Sequence, residues 1–464
     1  MHQNENDDTT KVDVIRGDPK VALKTIAWPM IFTLVLNMIY NMVDRVWVAG
    51  LGADPLAAIG FVAPIFIIIG GIGNGFGAGA NSLISRYIGA KDKQNASNSA
   101  IHSILIALAL SIIIPIILMP LLKQLLLLMG AESVLKLATD YATIIIIGGF
   151  TLIFNGVLSS QLRAEGDVNR ATKALVITGI LNIIIDPIFI YVLNLGVAGA
   201  AIATVLSALV ATVLMLYWIL VKKDTYVDVG RDQFKFSPKI IKEIIAVAVP
   251  GSVEQVIISL ISIVMNAVLA MVASTDVIAA FTAAFSIIQV GMMFPVGIAT
   301  AAITVAGVAY GARDFKRVEF VCKYAIKLSM SIVIVIVALM AIFAPQIAML
   351  FSYSAATASL NALVTEALRV LLVFLIGVPV GLCCAFTFQG IGKGTISLIL
   401  TILREAVFVL VFLYLFVFVL GMGQIGAYLS MGMAGVLGSV VAAILFKYYM
   451  NKLQKFEGKA PDEC

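Results

Sequence analysis

Charged residues are scarce in this sequence. Only 12% of its 464 residues are Asp, Glu, Lys or Arg, whereas 61% are hydrophobic and the mean hydropathy is +1.07. A soluble domain of average composition is about 25% charged. So little polar surface cannot cover a water-exposed protein of this length. The composition excludes a secreted or cytosolic enzyme, a disordered protein and a nucleic-acid binder, and it predicts an integral membrane protein.

Metal-binding and catalytic side chains are also few. The sequence has two histidines, His2 and His102, and no H-E-x-x-H motif. Its four cysteines show no C-x-x-C spacing, so we expect free thiols and no zinc centre. They are Cys322, Cys383, Cys384 and Cys464. Because the sequence shows neither a nucleophile–base pair nor a metal-binding cluster, we expect neither an enzyme nor a protein that carries a cofactor.

Long apolar runs account for most of the chain. A helix needs about 20 apolar residues to cross a bilayer, and twelve such segments can be cut from the sequence. The predicted spans are 24–49, 55–85, 99–121, 138–160, 174–193, 198–221, 244–272, 278–308, 326–349, 367–388, 396–420 and 428–447. The fold class predicted is therefore an all-α integral membrane protein with twelve transmembrane helices.

Basic residues test this count. If both termini lie inside, 26 of the 31 Lys and Arg residues fall on the cytoplasmic side and two, Lys123 and Lys136, fall in outer loops. Cytoplasmic loops are enriched in Lys and Arg. We therefore expect a multi-pass protein of the cell membrane with both termini in the cytoplasm. The polar first segment lacks the apolar core of a signal peptide, so we interpret it as a cytoplasmic tail.

The two halves of the chain resemble each other. One constant register aligns them without a gap, and it superposes Gly89-Ala-Lys-Asp92 on Gly311-Ala-Arg-Asp314. Six helices per half keep the repeats parallel, as in transporters built from two pseudo-symmetric lobes. The predicted organisation is a tail (1–23), an N-lobe (24–221), a cytoplasmic linker (222–243), a C-lobe (244–447) and a second tail (448–464).

Polar side chains recur every third or fourth residue of the first span, so they share one helix face. They are Thr33, Asn37, Tyr40, Asn41 and Asp44. The seventh span repeats the pattern, without an acid, at Gln255, Ser259, Ser262 and Asn266. A membrane-embedded carboxylate is costly and usually functional, which favours a role for Asp44. The neutral residues suit either a substrate cavity or hydrogen bonds between helices.

The fifth span contains a second acid. Asn182 and Asp186 are four residues apart and share a face, and Pro187 then predicts a kink. At about 1.5 Å per residue, Asp44, Asp186 and Thr204 of the sixth span all lie roughly 8–11 Å below the outer surface. Such a group suits Na⁺ or proton exchange between close carboxylates, and the sequence does not choose between these ions.

Other polar or adaptable residues have less specific interpretations. Glu254 lies off the polar face of the seventh span, where a hydrogen-bonded acid and a role in coupling are both compatible with its position. Arg404 and Glu405 suggest an internal ion pair. Met292 suits an adaptable apolar pocket or ordinary packing. Pro29 is the candidate kink of the first span.

In its motifs and their order the sequence resembles the multidrug and toxic compound extrusion (MATE) family. The motifs are D44-R-V-W-V-A-G-L-G, G89-A-K-D, Q161-L-R-A-E-G-D, N182-I-I-I-D-P and G196-V-A-G-A-A-I-A-T204. The pattern is most similar to the DinF-like branch of prokaryotes and archaea. There, residues that match Asp44, Asn182, Asp186 and Thr204 form the cation-coupling site.

The resemblance carries further implications. It adds Tyr40 and Asn155 to the polar residues of the N-lobe, and it links Pro29 to bending of the first helix. The NorM-like branch has additional acids in its C-lobe, of which Glu254 is the one possible match. The tenth span, 367–388, has no acid, so no C-lobe ion site is expected.

The function implied is export of lipophilic organic cations by H⁺ or Na⁺ antiport, with alternating access between the lobes. We expect a monomer that contacts small-molecule substrates and membrane lipid but no nucleic acid. The alternative is a flippase for lipid-linked precursors on a related fold. Such a protein needs a strongly basic cavity, for which the spans offer only Arg45, Arg369 and Arg404.

Overall fold

The computed structural model of the chain describes residues 11–222, 224–350 and 360–455. The outer parts of the two predicted tails, 1–10 and 456–464, lie outside the described residues, as do His2 and Cys464. The ordered elements of the described part are helices, joined by turns and short loops.

Twelve helices of the described part are long and apolar enough to cross a membrane, as predicted. They are α1 (Pro19–Ala49), α2 (Ala53–Gly89), α3 (Lys93–Leu128), α4 (Glu132–Ala164), α5 (Val168–Val192), α6 (Gly196–Lys222), α7 (Pro238–Val272), α8 (Asp276–Gly311), α9 (Phe315–Ile342), α10 (Leu360–Gly390), α11 (Gly394–Val419) and α12 (Gly423–Gln454). Most extend several residues beyond the predicted apolar spans, because polar residues continue the helix outside the apolar segment. The protein is thus an all-α multi-pass membrane protein.

The predicted ninth span, 326–349, is wrong at its end. Helix α9 stops at Ile342, and Ala344–Met349 forms a separate short helix that begins after Phe343. Pro345 lies in the first turn of this short helix. Its missing N–H breaks no hydrogen bond there, whereas inside a continuous helix it would remove one.

The repeated G-A-K/R-D motif adopts the same turn in both halves. Lys91 and Arg313 have φ of 60° and 59°, a left-handed conformation that few residues other than glycine adopt. The next residue caps the following helix in each case. Asp92 accepts a hydrogen bond from the Asn95 amide at 3.0 Å, and Asp314 accepts one from the Arg317 amide at 2.8 Å. The sequence repeat is therefore a structural repeat.

The constant register that pairs Gly89 with Gly311 is wrong further along the chain. Gly166 and Gly392 have φ of +84° and +80° at equivalent turns, and they are four positions further apart than the first pair. Gly199 packs against the backbone of Phe189, and Gly426 packs against that of Phe416. Gly199 and Gly426 are separated by one position more than Gly166 and Gly392, and so are Phe189 and Phe416. The second half therefore gains four residues between Arg313 and Gly392, and a fifth beyond them.

The chain divides into two compact units, Met1–Gln255 and Val256–Cys464. In the first, glycines let α2 and α4 approach closely. A methyl group on Gly73 would lie 2.9 Å from the Leu152 carbonyl oxygen, and one on Gly156 would lie 2.5 Å from the Gly73 carbonyl carbon. Small residues at such contacts are typical of packed membrane helices.

Helix α10 forms the centre of the second unit. It is the most buried of the twelve helices, and it contacts α8 and α12 through glycines. A methyl group on Gly390 would lie 2.5 Å from the carbonyl oxygen of Ile303, and one on Gly377 would lie 2.7 Å from the Val436 nitrogen. These contacts leave no space for a larger side chain at either position.

The segment before α1 packs against the first unit. Residues 11–16 are helical, and Val12 and Ile15 are each only 1% exposed. Lys11 pairs with Asp167 at 3.0 Å. The Arg16 guanidinium donates to the Ile88 carbonyl oxygen at 2.7 Å. Helix α1 itself begins at Pro19, inside the predicted tail. This part of the tail is therefore an ordered element of the first unit.

The linker between α6 and α7 is also fastened to the first unit. The Val227 amide donates to Glu165 at 3.0 Å, and the Asp228 amide donates to the Ser97 hydroxyl at 2.9 Å. Asn98 exchanges two hydrogen bonds with the backbone of Lys235, at 2.8 and 3.1 Å. The linker therefore runs along the loop ends of α3 and α4.

An ion-pair network closes the start of this linker. Asp224 pairs with Arg170 at 2.5 Å and with Lys222 at 2.8 Å. Partial burial acts to raise the pKa of Asp224, but the hydrogen bonds from Arg170 and Lys222 outweigh it, and the pKa lies below its usual value. The carboxylate thus stays ionised at neutral pH.

Candidate functional site

Two acids from different helices meet near one end of the first unit. Asp44 of α1 is half-buried and Asp186 of α5 is fully buried, and their carboxyl groups lie within hydrogen-bonding distance of each other. Asn182, one turn before Asp186, donates its amide to Asp186 Oδ1 at 3.1 Å. The structure thus brings together three of the four residues predicted to form an ion site.

Buried oxygen atoms remain without a donor in this cluster. Asp44 Oδ1, Asp186 Oδ2 and Asn182 Oδ1 are all inaccessible to solvent and receive no hydrogen bond from the described residues. Two carboxyl groups share a hydrogen bond only when one of them carries a proton, because ionised carboxylates only accept hydrogen bonds. Oxygen atoms of this kind can share a proton or coordinate a hard cation.

The fourth predicted residue, Thr204, is half-buried on α6. Among the described residues it makes no side-chain hydrogen bond to the two acids. The sequence analysis missed another residue near the two acids. Tyr141 of α4 is 6% exposed and within range of the charges of both Asp44 and Asp186. Tyr141 is far from both acids in the sequence, so no local pattern indicated that it lies near them.

Asn155 lies on α4, and its side chain forms hydrogen bonds with α6 and not with the acids. Its amide donates to the Ala208 carbonyl oxygen at 3.1 Å, and its Oδ1 accepts from the Thr212 hydroxyl at 2.9 Å. Asn155 is 7% exposed. In this structure it acts as a contact between helices.

Contacts at three depths connect α1 with α5 around the acids. The Thr33 hydroxyl bonds both the Pro29 carbonyl oxygen, at 2.8 Å, and Thr172 of α5, at 3.2 Å. In the middle, a methyl group on Gly179 would lie 3.2 Å from the ring of Tyr40. These contacts hold the polar face of α1 against α5.

The third contact lies beyond the acids. The Tyr191 hydroxyl donates to the Trp47 carbonyl oxygen, and the two rings pack edge to face with centroids 6.3 Å apart. Asp44 thus lies between two fixed points of α1, Tyr40 and Trp47.

The two predicted kink residues differ in their surroundings. Pro29 lies within a continuous α1, where Thr33 binds its carbonyl oxygen. Pro187 directly follows Asp186 and is succeeded by a π-helical stretch, Ile188–Val192. Interruptions of this kind often occur at functional sites, and this one widens the turn next to the buried acid.

The residues predicted to line a substrate cavity are solvent-accessible, apart from Asn155. Met292, Tyr40 and Ser259 are half-buried, whereas Asn37, Gln255, Ser262 and Asn266 are exposed. Their polar groups therefore lie at the surface of the chain instead of in its packed core. Tyr40 lies within range of the charge of Asp44, and the structure assigns none of the others to the acid cluster.

Three further ionisable residues of the spans, Glu254, Arg404 and Glu405, are buried, whereas Arg45 and Arg369 are exposed. Glu254 is 6% exposed. Arg404 Nε bonds Glu405 at 2.8 Å, and both side chains are buried on a π-helical stretch of α11, Ile402–Phe408. In the described part of the chain, no group of three or more His, Cys, Asp or Glu residues is arranged to hold a metal ion.

The predicted start of the tenth span, at residue 367, is wrong. Helix α10 begins at Leu360, well before the predicted start at residue 367, and therefore includes Glu366. This carboxylate is half-buried and accepts a hydrogen bond from Gln424 of α12 at 3.4 Å. The polar residues around Glu366 lower the hydropathy of the first two turns, so these turns were left out of the predicted span.

Comparison with known proteins identifies the family. The MatE family model matches residues 29–188 and 250–415, once in each half of the chain. The chain belongs to the MATE family. The second matched segment is longer than the first, which agrees with the insertion seen in the second half of the structure.

Individual MATE relatives cover most of the chain. The multidrug export protein MepA of Staphylococcus aureus (strain N315) is 27% identical over 392 residues, which is 84% of this chain and 85% of MepA. The solved structure of an outward-facing multidrug resistance MATE transporter is 39% identical, with a TM-score of 0.92 over 96% of this chain and 98% of its own. A MOP-superfamily transporter from Pyrococcus furiosus Vc1 (DSM3638) gives the same identity, TM-score and coverage.

Proposed function

We propose that this protein is a multidrug exporter that drives the efflux of lipophilic organic cations by antiport of H⁺ or Na⁺. The observation that carries the proposal is the contact between Asp44 of α1 and Asp186 of α5 in a chain of the MATE family. MepA, which is similar over 84% of the chain, is a multidrug export protein. The proposal extends that activity to this chain and assigns its ion coupling to two carboxyl groups.

The chemistry of the pair supports ion coupling. One proton satisfies the contact between the two carboxyl groups, and its loss leaves two negative charges side by side in a poorly hydrated site. A Na⁺ ion on the donor-free oxygens of Asp44, Asp186 and Asn182 would satisfy the same charge. A cationic cargo, attracted by the deprotonated pair, competes with either ion. This reciprocal linkage is what antiport requires.

Helix α1 is the element that the pair would move. Asp44 and Pro29 lie on the same helix, and Thr33 and Tyr40, which contact α5, lie between them. A change in the bond between Asp44 and Asp186 alters one of the attachments of α1 to α5. The bend attributed to Pro29 gives this helix a second conformation to adopt.

The basic residues orient the protein in the cell membrane. We infer that both termini and the linker between α6 and α7 lie in the cytoplasm, because 26 of 31 Lys and Arg residues then fall on that side. The acid pair lies toward the opposite end of α1 and α5, and would therefore exchange ions with the outer side. We propose that the protein works as a monomer.

Ethidium efflux from vesicles tests the function. Purified protein is reconstituted, and a pH gradient and a Na⁺ gradient are imposed separately. Efflux driven by one of them, in the direction opposite to the ion, supports the proposal and identifies the ion. If the vesicles retain ethidium under both gradients, although thermal unfolding shows that the protein is folded, the proposed function is contradicted.

A further inference from the structure

Two exposed aromatic residues lie on the linker between α6 and α7. Phe234 is 40% exposed and Phe236 is 71% exposed, and they flank Lys235. Both rings also pack on His102 of α3, with centroids 5.2 and 6.2 Å away. One side of each ring is thus fixed against the protein, while a large part of its surface remains exposed.

Hydrogen bonds hold this part of the linker in place. His102 Nε2 accepts the backbone N–H of Ser237 at 3.1 Å, while its Nδ1 faces the Asn98 carbonyl oxygen at 2.8 Å. Asn98 in turn holds the backbone of Lys235. None of these bonds uses the side chain of Lys235, Phe234 or Phe236. The three side chains are therefore available on a rigid support.

The support lies where α3 changes from polar to apolar. The helix is rich in polar residues from Lys93 to Ser103 and almost entirely apolar from Ile104 onward. Leu105, one turn after His102 on the same face, is 44% exposed, and Leu108 is 49% exposed. Exposed leucines of a spanning helix face lipid. The two phenylalanines therefore adjoin the lipid-facing surface at the level where hydrocarbon meets water.

Positive charge surrounds the aromatic pair. Lys235, Lys239 and Lys242 are all exposed, and the last two are three residues apart at the start of α7, on one helix face. Of the nearby acids, Asp232 is exposed and Glu243 is paired with Arg86 at 3.2 Å. The exposed charged residues named here are thus three lysines and one acid.

We propose that Phe234, Lys235, Phe236, Lys239 and Lys242, here called the linker patch, bind the headgroups of anionic phospholipids in the adjacent leaflet. Aromatic rings prefer the membrane interface, and clustered lysines next to a spanning helix attract anionic lipid. The rings enter the interface beside Leu105 and the ammonium groups contact phosphate. This fixes the linker, and with it the loop ends of α3 and α4, to the membrane surface.

Fluorescence quenching tests the linker patch directly. Full-length Phe236→Trp protein is placed in phosphatidylcholine nanodiscs that contain a minor fraction of dibrominated lipid, either phosphatidylglycerol or phosphatidylcholine. The wild type supplies the background from Trp28, Trp47 and Trp218. We expect stronger quenching by the brominated phosphatidylglycerol. The apparent affinity of the protein for phosphatidylglycerol should fall about fivefold for each lysine that is replaced. The variants are Lys235→Gln, Lys239→Gln and Lys242→Gln.

A matched control removes two exposed lysines elsewhere. Lys123 and Lys136 lie at the opposite ends of α3 and α4, and their replacement by Gln should leave the quenching unchanged. Equal quenching by the two lipids, or a preference that survives loss of all three lysines of the patch, would overturn the proposal. Absence of quenching would do so too, because it would place the patch in water or against a soluble partner. The measurement needs no transport, so its outcome is independent of the proposed function.

Discussion

Asn182 donates its side-chain amide to Oδ1 of Asp186 at 3.1 Å, while the other carboxylate oxygen of Asp186 receives no hydrogen bond from the described residues. The amide thus satisfies half of a fully buried carboxyl group. The other half lies next to Asp44, where the proposed coupling ion would bind. Under the proposed function, this division would let the protein hold the carboxyl group in place while the group exchanges an ion.

Replacing either acid by Asn should abolish ion-driven efflux. Asp44→Asn and Asp186→Asn keep the size of the side chain but remove the charge change on which coupling depends. We expect efflux at the level of empty vesicles, with expression and thermal unfolding close to the wild type, since an amide removes the cost of a buried charge. Reconstituted ethidium efflux measures the effect. Normal gradient-driven efflux by either variant would remove that residue from the coupling site.

Asn266 should tolerate substitution. It matches Asp44 in the sequence repeat, on α7, and is exposed, so it occupies a related position without a charge. Asn266→Ala should keep gradient-driven efflux within about twofold of the wild type, as is usual for surface substitutions away from buried networks. A loss as complete as that of Asp44→Asn would move the coupling site to the second half of the chain.

Binding of a cationic dye should weaken as the pH falls from 8 to 5, or as Na⁺ rises. Either ion neutralises the carboxylates that attract the dye, so the two ligands oppose each other through a shared charge. Fluorescence anisotropy of the dye on purified protein gives the Kd at each pH, with and without Na⁺. Asp186→Asn serves as the control and should bind with one constant affinity. If the Kd of the dye for the wild type changes with neither pH nor Na⁺, the linkage is refuted.

Asp224→Asn should destabilise the first unit at neutral pH. The pKa of Asp224 is lowered in the folded protein by Arg170 and Lys222. Its contribution is therefore present above the unfolded pKa of about 3.9 and disappears as the pH falls through the folded-state value. We expect a loss of about 1–3 kcal/mol at pH 7, the usual cost of a broken charged hydrogen bond.

Thermal unfolding measures this difference. The wild type should exceed Asp224→Asn in Tm at pH 7, and the gap should close in acid below the usual pKa of an aspartate. Asp232, exposed in the same linker, provides the control, since Asp232→Asn should leave Tm unchanged. A gap that persists when Asp224 is protonated would assign the effect to packing.

Gly156→Ala should destabilise the contact between α2 and α4, whereas Gly70→Ala should not. A methyl group on Gly156 would lie 2.5 Å from the backbone of Gly73, whereas one on Gly70 would meet no atom within 4 Å. Forcing a methyl group into a packed contact costs about 1–3 kcal/mol, while Ala is intrinsically a better helix residue than Gly. Size-exclusion profiles and Tm in detergent should separate the two. Equal stability would show that the helices adjust without cost.

Several positions show where prediction from the sequence succeeded. Hydropathy alone placed the twelve helices, because the bilayer imposes their minimum length, and the motif Gly89-Ala-Lys-Asp92 revealed the repeat. The cost of charge in lipid selected Asp44 and Asp186 before their contact was known. Each of these properties depends on composition or on local spacing.

Other positions required the tertiary structure. Tyr141 could be assigned to the surroundings of the acids only in the folded structure, which brings it within range of the charges of both. Glu366 was missed because a hydropathy window ends where polar residues begin, although the helix continues. The four residues gained between Arg313 and Gly392 became visible through matching backbone turns whose sequences differ.

The sequence by itself determined that this chain lies in a membrane, how many spanning helices it has, and which of its acids lie within them. It could do so because burial in lipid acts on each residue separately. Only the tertiary structure decided that Asp44 meets Asp186, that Asn155 turns to α6, and that the linker is fastened to Asn98 and His102. Those outcomes depend on distances between residues far apart in the chain, which packing sets and local sequence does not encode.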